Sequence, residues 1–184
     1  MLTRKEATEL LDKWVSTDTL KKHSLATAAV MESMAEKLGE DRDHWWVVGL
    51  LHDLDYDLTQ DPAEHGKKSE EILSNKDFPE EYTRAIKAHN AEGLGLERKT
   101  KLDFALTCSE TVTGLIVATA LVMPDKKLAS VKPSSPIKRM KKKDFARNVS
   151  RERILECEKI GMDINSFMET ALNAMKKISD QLDL

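Results

Sequence analysis

The chain has 184 residues, which is enough for one domain with a sizeable core. Hydrophobic residues make up 40% and charged residues 33%, as in soluble globular proteins, and the formal net charge is −3. The N terminus lacks the apolar stretch of a signal peptide and no run approaches the length of a membrane span, so we expect a cytoplasmic protein with no membrane partner. Only seven glycines and five prolines interrupt the chain, which favours an all-α fold.

The predicted helices begin at capping residues and end at glycine, proline or polar breaks. The clearest start signals are Thr3-x-x-Glu6 and Thr100-x-x-Asp103. Helices are expected over about 3–15, 18–38, 41–53, 65–73, 79–89, 100–122, 150–160 and 164–182, with a further basic helical stretch that starts at Pro136. Between them lie an acidic irregular loop over 54–62, a loop over 91–98, and a basic segment over 125–144 that is the candidate for a mobile excursion.

Cysteine usage and charge distribution narrow the possible chemistry. Cys108 and Cys157 lie far apart and in no paired spacing for a metal, so we expect reduced thiols. The first half of the chain is acidic, and the basic excess of the second half falls mostly within 124–153. A basic face is usually just solvated, but an acidic ligand stays open as a possibility.

Six metal-binding side chains occur at helix ends or on otherwise apolar helix faces. They are His23, His52, Asp53, His65, His89 and Glu110. Polar residues on buried faces need a partner or a metal, and helix ends can converge at one end of a bundle. Imidazole and carboxylate together suit divalent transition metals, so we expect one or two ions of Fe, Mn, Ni, Co or Zn, with Mg²⁺ also compatible.

A pair of metals needs four to six protein ligands, one of them usually a bridging carboxylate. The six side chains supply that number. A metal bound there would lower the pKa of a coordinated water toward neutrality, and the resulting hydroxide could attack a phosphoryl centre. The six side chains could thus build a hydrolytic metal centre of this kind.

The same residues, in this order, resemble the HD superfamily of metal-dependent phosphohydrolases, and in particular its small stand-alone proteins with the HDIG-type motif. The stretches that carry the resemblance are His23-Ser24-Leu25-Ala26-Thr27-Ala28, Gly49-Leu50-Leu51-His52-Asp53-Leu54-Asp55-Tyr56, His65-Gly66, Ala88-His89-Asn90 and Ser109-Glu110-Thr111-Val112-Thr113-Gly114-Leu115-Ile116. The resemblance spans about residues 20–120. It implies one HD-type helical domain over 1–184, with the C-terminal helices of about 136–184 packed on the motif-bearing core.

The resemblance also implies roles for the six residues. His23, His52, Asp53 and Glu110 would correspond to ligands of a first metal, and Asp53 would bridge to a second metal held by His65 and His89. Asp53 and His52 would be the catalytic pair, with Asp53 orienting the attacking hydroxide. The family pattern is broken twice: Leu54-Asp55 replaces Ile-Gly, and Glu110 stands where Asp is usual. The extra methylene of Glu110 could loosen the first site or change its metal preference.

Several other charged groups have two interpretations each. The candidates for contact with a substrate phosphate are Lys67, Lys68, Arg147 and Arg151, and for the two lysines a solvated face is favoured. The basic run over 138–143 has no aromatic interleaving, so we favour a solvated face over nucleic-acid binding. Asp55, Asp57 and Asp61 either support the histidines or form turns. The Met-containing C-terminal helix packs in the core or in a homodimer.

The sequence thus favours a metal-dependent hydrolase, a phosphomonoesterase or phosphodiesterase, acting on a small phosphorylated substrate or nucleotide. The first alternative is a non-catalytic module that binds metal or nucleotide, for which the departure at Glu110 is the sequence support. The second alternative is a di-iron oxygenase, because a minority of the HD superfamily uses its metal pair in that way.

Overall fold

The computed structural model describes residues 1–184 and contains eleven α-helices, two short 3₁₀ helices and no strand. The α-helices are α1 (Arg4–Trp14), α2 (Asp18–Leu38), α3 (Arg42–Leu51), α4 (Lys67–Leu73), α5 (Glu80–His89), α6 (Ala91–Leu94), α7 (Lys101–Leu121), α8 (Ser134–Met140), α9 (Arg151–Leu155), α10 (Ile164–Lys177) and α11 (Ser179–Leu182). The 3₁₀ helices cover Leu128–Ser130 and Glu156–Ile160. The all-α prediction is confirmed.

The two capping boxes that the sequence predicts are both formed. Thr3 caps α1 together with Glu6, and Thr100 caps α7 together with Asp103. Thr17 precedes α2 but makes no side-chain cap, and its hydroxyl donates to Asp57. The acidic loop after α3 is thereby tied to the start of α2.

Helices α2 and α7 form the centre of the bundle. Helix α2 packs against α3, α7 and α10, and α7 also packs against α5 and α9. Helix α7 is long and apolar enough, by length and composition, to cross a membrane, so the expectation that no run approaches that length is wrong. Of its most apolar 18-residue window, 67% is buried inside the fold, so it serves as the core helix of this structure.

A close approach between α2 and α3 brings the first histidines together. A Cβ built at Gly49 would lie 2.9 Å from Cα of Ala28 and 3.0 Å from Cγ of Met31. Only glycine permits this packing, since real Cβ atoms do not approach a backbone so closely. His23 lies on α2 five residues before Ala28, and His52 follows Gly49 at the end of α3.

Three predicted elements differ in the structure. Gly66 lies outside α4, with φ of +94°, so the helix starts at Lys67 and not at His65. The predicted loop 91–98 contains the short helix α6. The basic segment 125–144 holds a 3₁₀ turn and α8, which starts at Ser134, and it buries Leu128 and Val131 in the core.

Candidate metal centre

Four histidines and one aspartate converge at one end of the bundle. His23 lies on α2, His52 caps α3 and Asp53 follows it, His65 precedes α4, and His89 is the last residue of α5. Their ligand atoms form two groups that share Asp53: one with His23 and His52, the other with His65 and His89. We call these the first triad and the second triad. In each, the ligand atoms lie within 4.8 Å of one another.

The two carboxylate oxygens of Asp53 divide the four imidazoles between them. Oδ2 lies 3.4 Å from Nε2 of His52 and 3.6 Å from Nε2 of His23. Oδ1 lies 3.3 Å from Nε2 of His65 and 3.3 Å from Nε2 of His89. This is the geometry of a carboxylate that could bridge two ions, one on each oxygen.

The other ring nitrogen of every histidine faces an acceptor. Nδ1 of His52 lies 2.8 Å from the Gly49 carbonyl, and Nδ1 of His89 faces the Ile86 carbonyl. Nδ1 of His65 lies 2.8 Å from Oδ1 of Asp55. Each Nδ1 therefore carries a proton and donates it, so these three rings present Nε2 to the site.

The fourth histidine, His23, is oriented by a hydroxyl relay. Its Nδ1 lies 3.0 Å from Oγ1 of Thr113, whose own hydroxyl donates to the Glu110 carbonyl at 2.7 Å. Because the Thr113 proton is committed to that carbonyl, its oxygen accepts from Nδ1–H of His23. All four rings thus share one tautomer, with Nε2 directed at Asp53.

The spacing of the Nε2 atoms suits a cation. Nε2 of His23 lies 3.1 Å from Nε2 of His52, and Nε2 of His65 lies 2.9 Å from Nε2 of His89. Two inward-facing lone pairs so close together repel unless a proton or a metal ion lies between them. Nitrogen and carboxylate donors are the set that transition metals prefer, so the residues fit one or two such ions.

The pKa values of the four histidines are shifted in opposite directions within each pair. Burial opposes a charge on His65, but hydrogen bonds to Asp53 and Asp55 outweigh it and raise the pKa of His65 to about 9. The pKa of His52 is also raised, since Asp53 outweighs its burial. Burial lowers the pKa of His23 and of His89, with the neighbouring histidines adding to the effect. Each histidine pair therefore holds one proton readily and resists a second.

The site lies at the floor of an open cavity of about 450 Å³. Its walls include His23, Asp53, His65 and His89, and the remaining lining residues are Leu20, Tyr56, Gln60, Pro62, Asn90, Glu110 and Arg153. His52 is fully buried behind them. A small polar substrate could reach the Asp53 carboxylate from this side.

Glu110 lies at the cavity but in neither triad. Its Oε1 accepts the hydroxyl proton of Thr111 at 2.5 Å and lies 3.5 Å from Nη1 of Arg153. Its longer side chain thus finds partners away from the histidines. The role of Glu110 as a metal ligand stays a prediction, whereas the other five predicted ligands are brought together by the fold.

None of the four predicted phosphate contacts is among the residues that line the cavity, and their contact with a substrate stays a prediction. Lys67 pairs with Glu64, and Lys68 with Glu71. Arg147 is exposed on the loop after α8. The remaining candidate, Arg151, donates to the carbonyls of residues 142, 145, 146 and 149, so it holds that loop instead of a ligand.

Several residues at the site were not selected from the sequence. Arg153 lines the cavity although it is two positions beyond Arg151, and nothing in its local sequence distinguishes the two. Asn90 donates to the carbonyls of Pro62 and His65, and so fixes the loop that carries His65. Its place next to His89 was the available signal. Of the three aspartates in the acidic loop, only Asp55 contacts a site histidine.

No curated protein and no solved structure matches this chain. The family model described as HD domain matches residues 20–119, which is more than half of the chain and includes both triads and Glu110. The matched range ends near the end of α7, before α8 to α11. The chain therefore belongs to the HD domain family.

Proposed function

We propose that this protein hydrolyses phosphate esters with one or two divalent transition metal ions held by the two triads. The observation that carries the proposal is the arrangement of four Nε2 atoms around the two oxygens of one carboxylate, at the floor of an open cavity. HD domains form a superfamily of metal-dependent phosphohydrolases, which supports the same conclusion at the level of the family.

The residues of the two triads would have separate roles in binding the ions and orienting the water. His23 and His52 would hold one ion and His65 and His89 the other, with Asp53 in contact with both. Ions bound there would supply a water of lowered pKa and polarise the phosphoryl oxygens. Asp53 would orient that water, because its carboxylate lies between the two histidine pairs. Two backbone carbonyls, the Asp55 carboxylate and the Thr113 hydroxyl accept from the four Nδ1 atoms, which keeps every Nε2 free to bind.

The shape of the cavity limits the substrate. About 450 Å³ accommodates a nucleoside monophosphate or a sugar phosphate but not a folded macromolecule. Tyr56 is 39% exposed and lies edge-on to the His65 ring, so its free surface could contact the organic part of the ester. We infer a small phosphorylated molecule or nucleotide as substrate.

The test combines metal content with turnover. Protein purified without chelator is assayed for metal per chain and for phosphate release from a panel of phosphate esters and nucleotides with Mn²⁺, Co²⁺ or Ni²⁺. Asp53→Asn should lose both metal and turnover. Asp61→Asn, an exposed aspartate of the same acidic loop, is the matched control and should retain both.

Three results would contradict the proposal. Turnover retained by Asp53→Asn would exclude the bridging role of Asp53. Metal present without phosphate release across the panel would favour a binding module. Oxygen uptake with iron, in place of phosphate release, would favour an oxygenase.

A further inference from the structure

Arg153 is the only Lys or Arg among the eleven residues that line the cavity above the triads. Its side chain is 27% exposed. Its guanidinium lies 3.5 Å from Oε1 of Glu110 through Nη1 and pairs with Glu92 through Nη2. The guanidinium of Arg153, which is charged at any physiological pH, is thus paired with the carboxylates of Glu92 and Glu110.

Arg153 can break its ion pair with Glu92 without leaving the Glu92 carboxylate unpaired. Arg98 already binds both oxygens of that carboxylate, with Nη1 and Nη2 each at 2.8 Å. Arg98 is itself anchored by the His89 carbonyl and the Thr107 hydroxyl. Because Glu92 keeps this bidentate partner, Arg153 can turn toward the cavity without leaving a bare carboxylate.

The backbone of Arg153 is fixed, so that only its side chain has to turn toward the cavity. Ser150 caps α9 by accepting from the Arg153 amide at 3.3 Å. The next residue, Ile154, is fully buried, and the preceding Arg151 is bound to four loop carbonyls. Because the backbone is already fixed, only the side-chain torsions of Arg153 change when an anion binds, which limits the entropic cost.

We propose that Arg153 leaves Glu92 and binds the phosphoryl group of the substrate. Its planar fork of N–H donors matches two oxygens of a phosphate dianion. The inference rests on the proposed phosphoesterase function and assigns its anion-binding residue.

The primary test is the affinity of inorganic phosphate for the Mn²⁺-loaded protein, measured by calorimetry. Arg153→Gln should weaken phosphate binding about 10- to 100-fold, as expected for the loss of charge-assisted hydrogen bonds, with metal content unchanged. Arg153→Lys should fall between Arg153→Gln and the native protein, because it keeps the charge but not the fork. Arg147→Gln is the matched control, since Arg147 is exposed and outside the cavity, and it should bind phosphate as the native protein does.

Glu92→Gln separates an anion-binding role from a structural one. If Arg153 binds the substrate phosphate, this variant frees the guanidinium, and phosphate affinity should be unchanged or increased. If the Arg153–Glu92 ion pair served only to hold the structure, then Glu92→Gln and Arg153→Gln would weaken binding alike, and the proposal would be overturned. Unchanged phosphate affinity in Arg153→Gln would overturn it as well.

Ester turnover distinguishes this failure from failure of the proposed function. Hydrolysis that is equally fast in Arg153→Gln and in the native protein, at low substrate concentration, leaves the phosphoesterase function intact and removes Arg153 from it. If the native protein hydrolyses no ester but binds phosphate through Arg153, the hydrolase proposal fails and the anion site stands.

Discussion

The carboxylate of Asp55 accepts the Nδ1 proton of His65 at 2.8 Å, and this contact determines which nitrogen of His65 faces Asp53. The other oxygen of Asp55 accepts from the amides of Gly66 and Ser69 at 2.7 and 3.0 Å. Asp55 is fully buried, so the loop carrying His65 is built around its charge. The family pattern has glycine at this position, and the departure thus supplies a support for one of the histidines.

Asp55→Asn should weaken metal binding at the second triad. The substitution removes the charge that orients His65 and places an amide group against the N–H of Gly66 or Ser69. A loss of about 10- to 100-fold in metal affinity is expected, as for other groups that support a ligating histidine. Metal titration of the variant against the Asp61→Asn control measures the effect, and equal affinities would show that His65 does not depend on Asp55.

Metal affinity should rise with pH up to about 9. Since hydrogen bonds to Asp53 and Asp55 raise the pKa of His65 to about 9 despite its burial, the second triad holds a proton at neutral pH that an incoming ion must displace. Below that pKa, affinity should increase about tenfold for each pH unit, and above it the dependence should flatten. Mn²⁺ titrations across this range, with the released protons counted in weakly buffered solution, check the slope. An affinity independent of pH would contradict it.

Asp57→Asn should loosen the acidic loop from the start of α2. Asp57 accepts from the amide and hydroxyl of Ser16 and from those of Thr17, and these hydrogen bonds lower its pKa from 3.8 to about 2. Because folding lowers the pKa of Asp57, its carboxylate stabilises the folded state fully above its ordinary pKa of 3.8. This contribution is lost as the pH falls through the folded-state pKa of about 2. The variant should therefore be less stable than the native protein at neutral pH.

Denaturant unfolding of both proteins over a range of pH measures this difference. The stability gap should be constant above pH 3.8 and should narrow toward pH 2, because Asp57 becomes protonated there. Asp144→Asn, at another exposed aspartate, should show no comparable gap. A gap that persists unchanged at low pH would mean that the charge of Asp57 is not its source.

Gly49→Ala should destabilise the protein by about 1–3 kcal/mol, because the new methyl group would press on the backbone of Ala28 and force α2 and α3 apart. The first triad should lose metal affinity with it, since those helices carry His23 and His52. Gly114→Ala is the comparison, because its Cβ would meet only the end of the Val149 side chain at 3.3 Å. Chemical unfolding measures the free energy of unfolding of both variants. Equal values would show that α2 and α3 can relax around the added methyl group.

The sequence predicted the histidines and Asp53 because their order and spacing identify a family pattern, and the fold brings these residues together. Helix starts were predicted where capping is local, as at Thr3 and Thr100. Arg153 was not selected from the sequence as a cavity residue, because the arginines of 124–153 have similar local sequences. What separates Arg153 from Arg147 and Arg151 is the packing of α9 on α7, which depends on distant parts of the chain.

The side-chain partners of Glu110 could not be predicted from the sequence either. Its position on α7 predicted a ligand, but its actual contacts are a hydroxyl on the next residue and a guanidinium 43 residues later. The contact between Thr113 and His23 could not be predicted either, since threonine on an apolar helix is common. Its bond to His23 joins α7 to α2 and is visible only once those helices are placed side by side.

The shared carboxylate of Asp53 has a consequence for the durability of the fold. The four histidines come from α2, the end of α3, the loop before α4 and the end of α5, so ions in the two triads would connect four separate segments between residues 23 and 89. The two cysteines are free and buried, and offer no covalent connection of this kind. Bound metal would therefore act in this protein as disulfides act in secreted ones, as cross-links that restrict the unfolded chain.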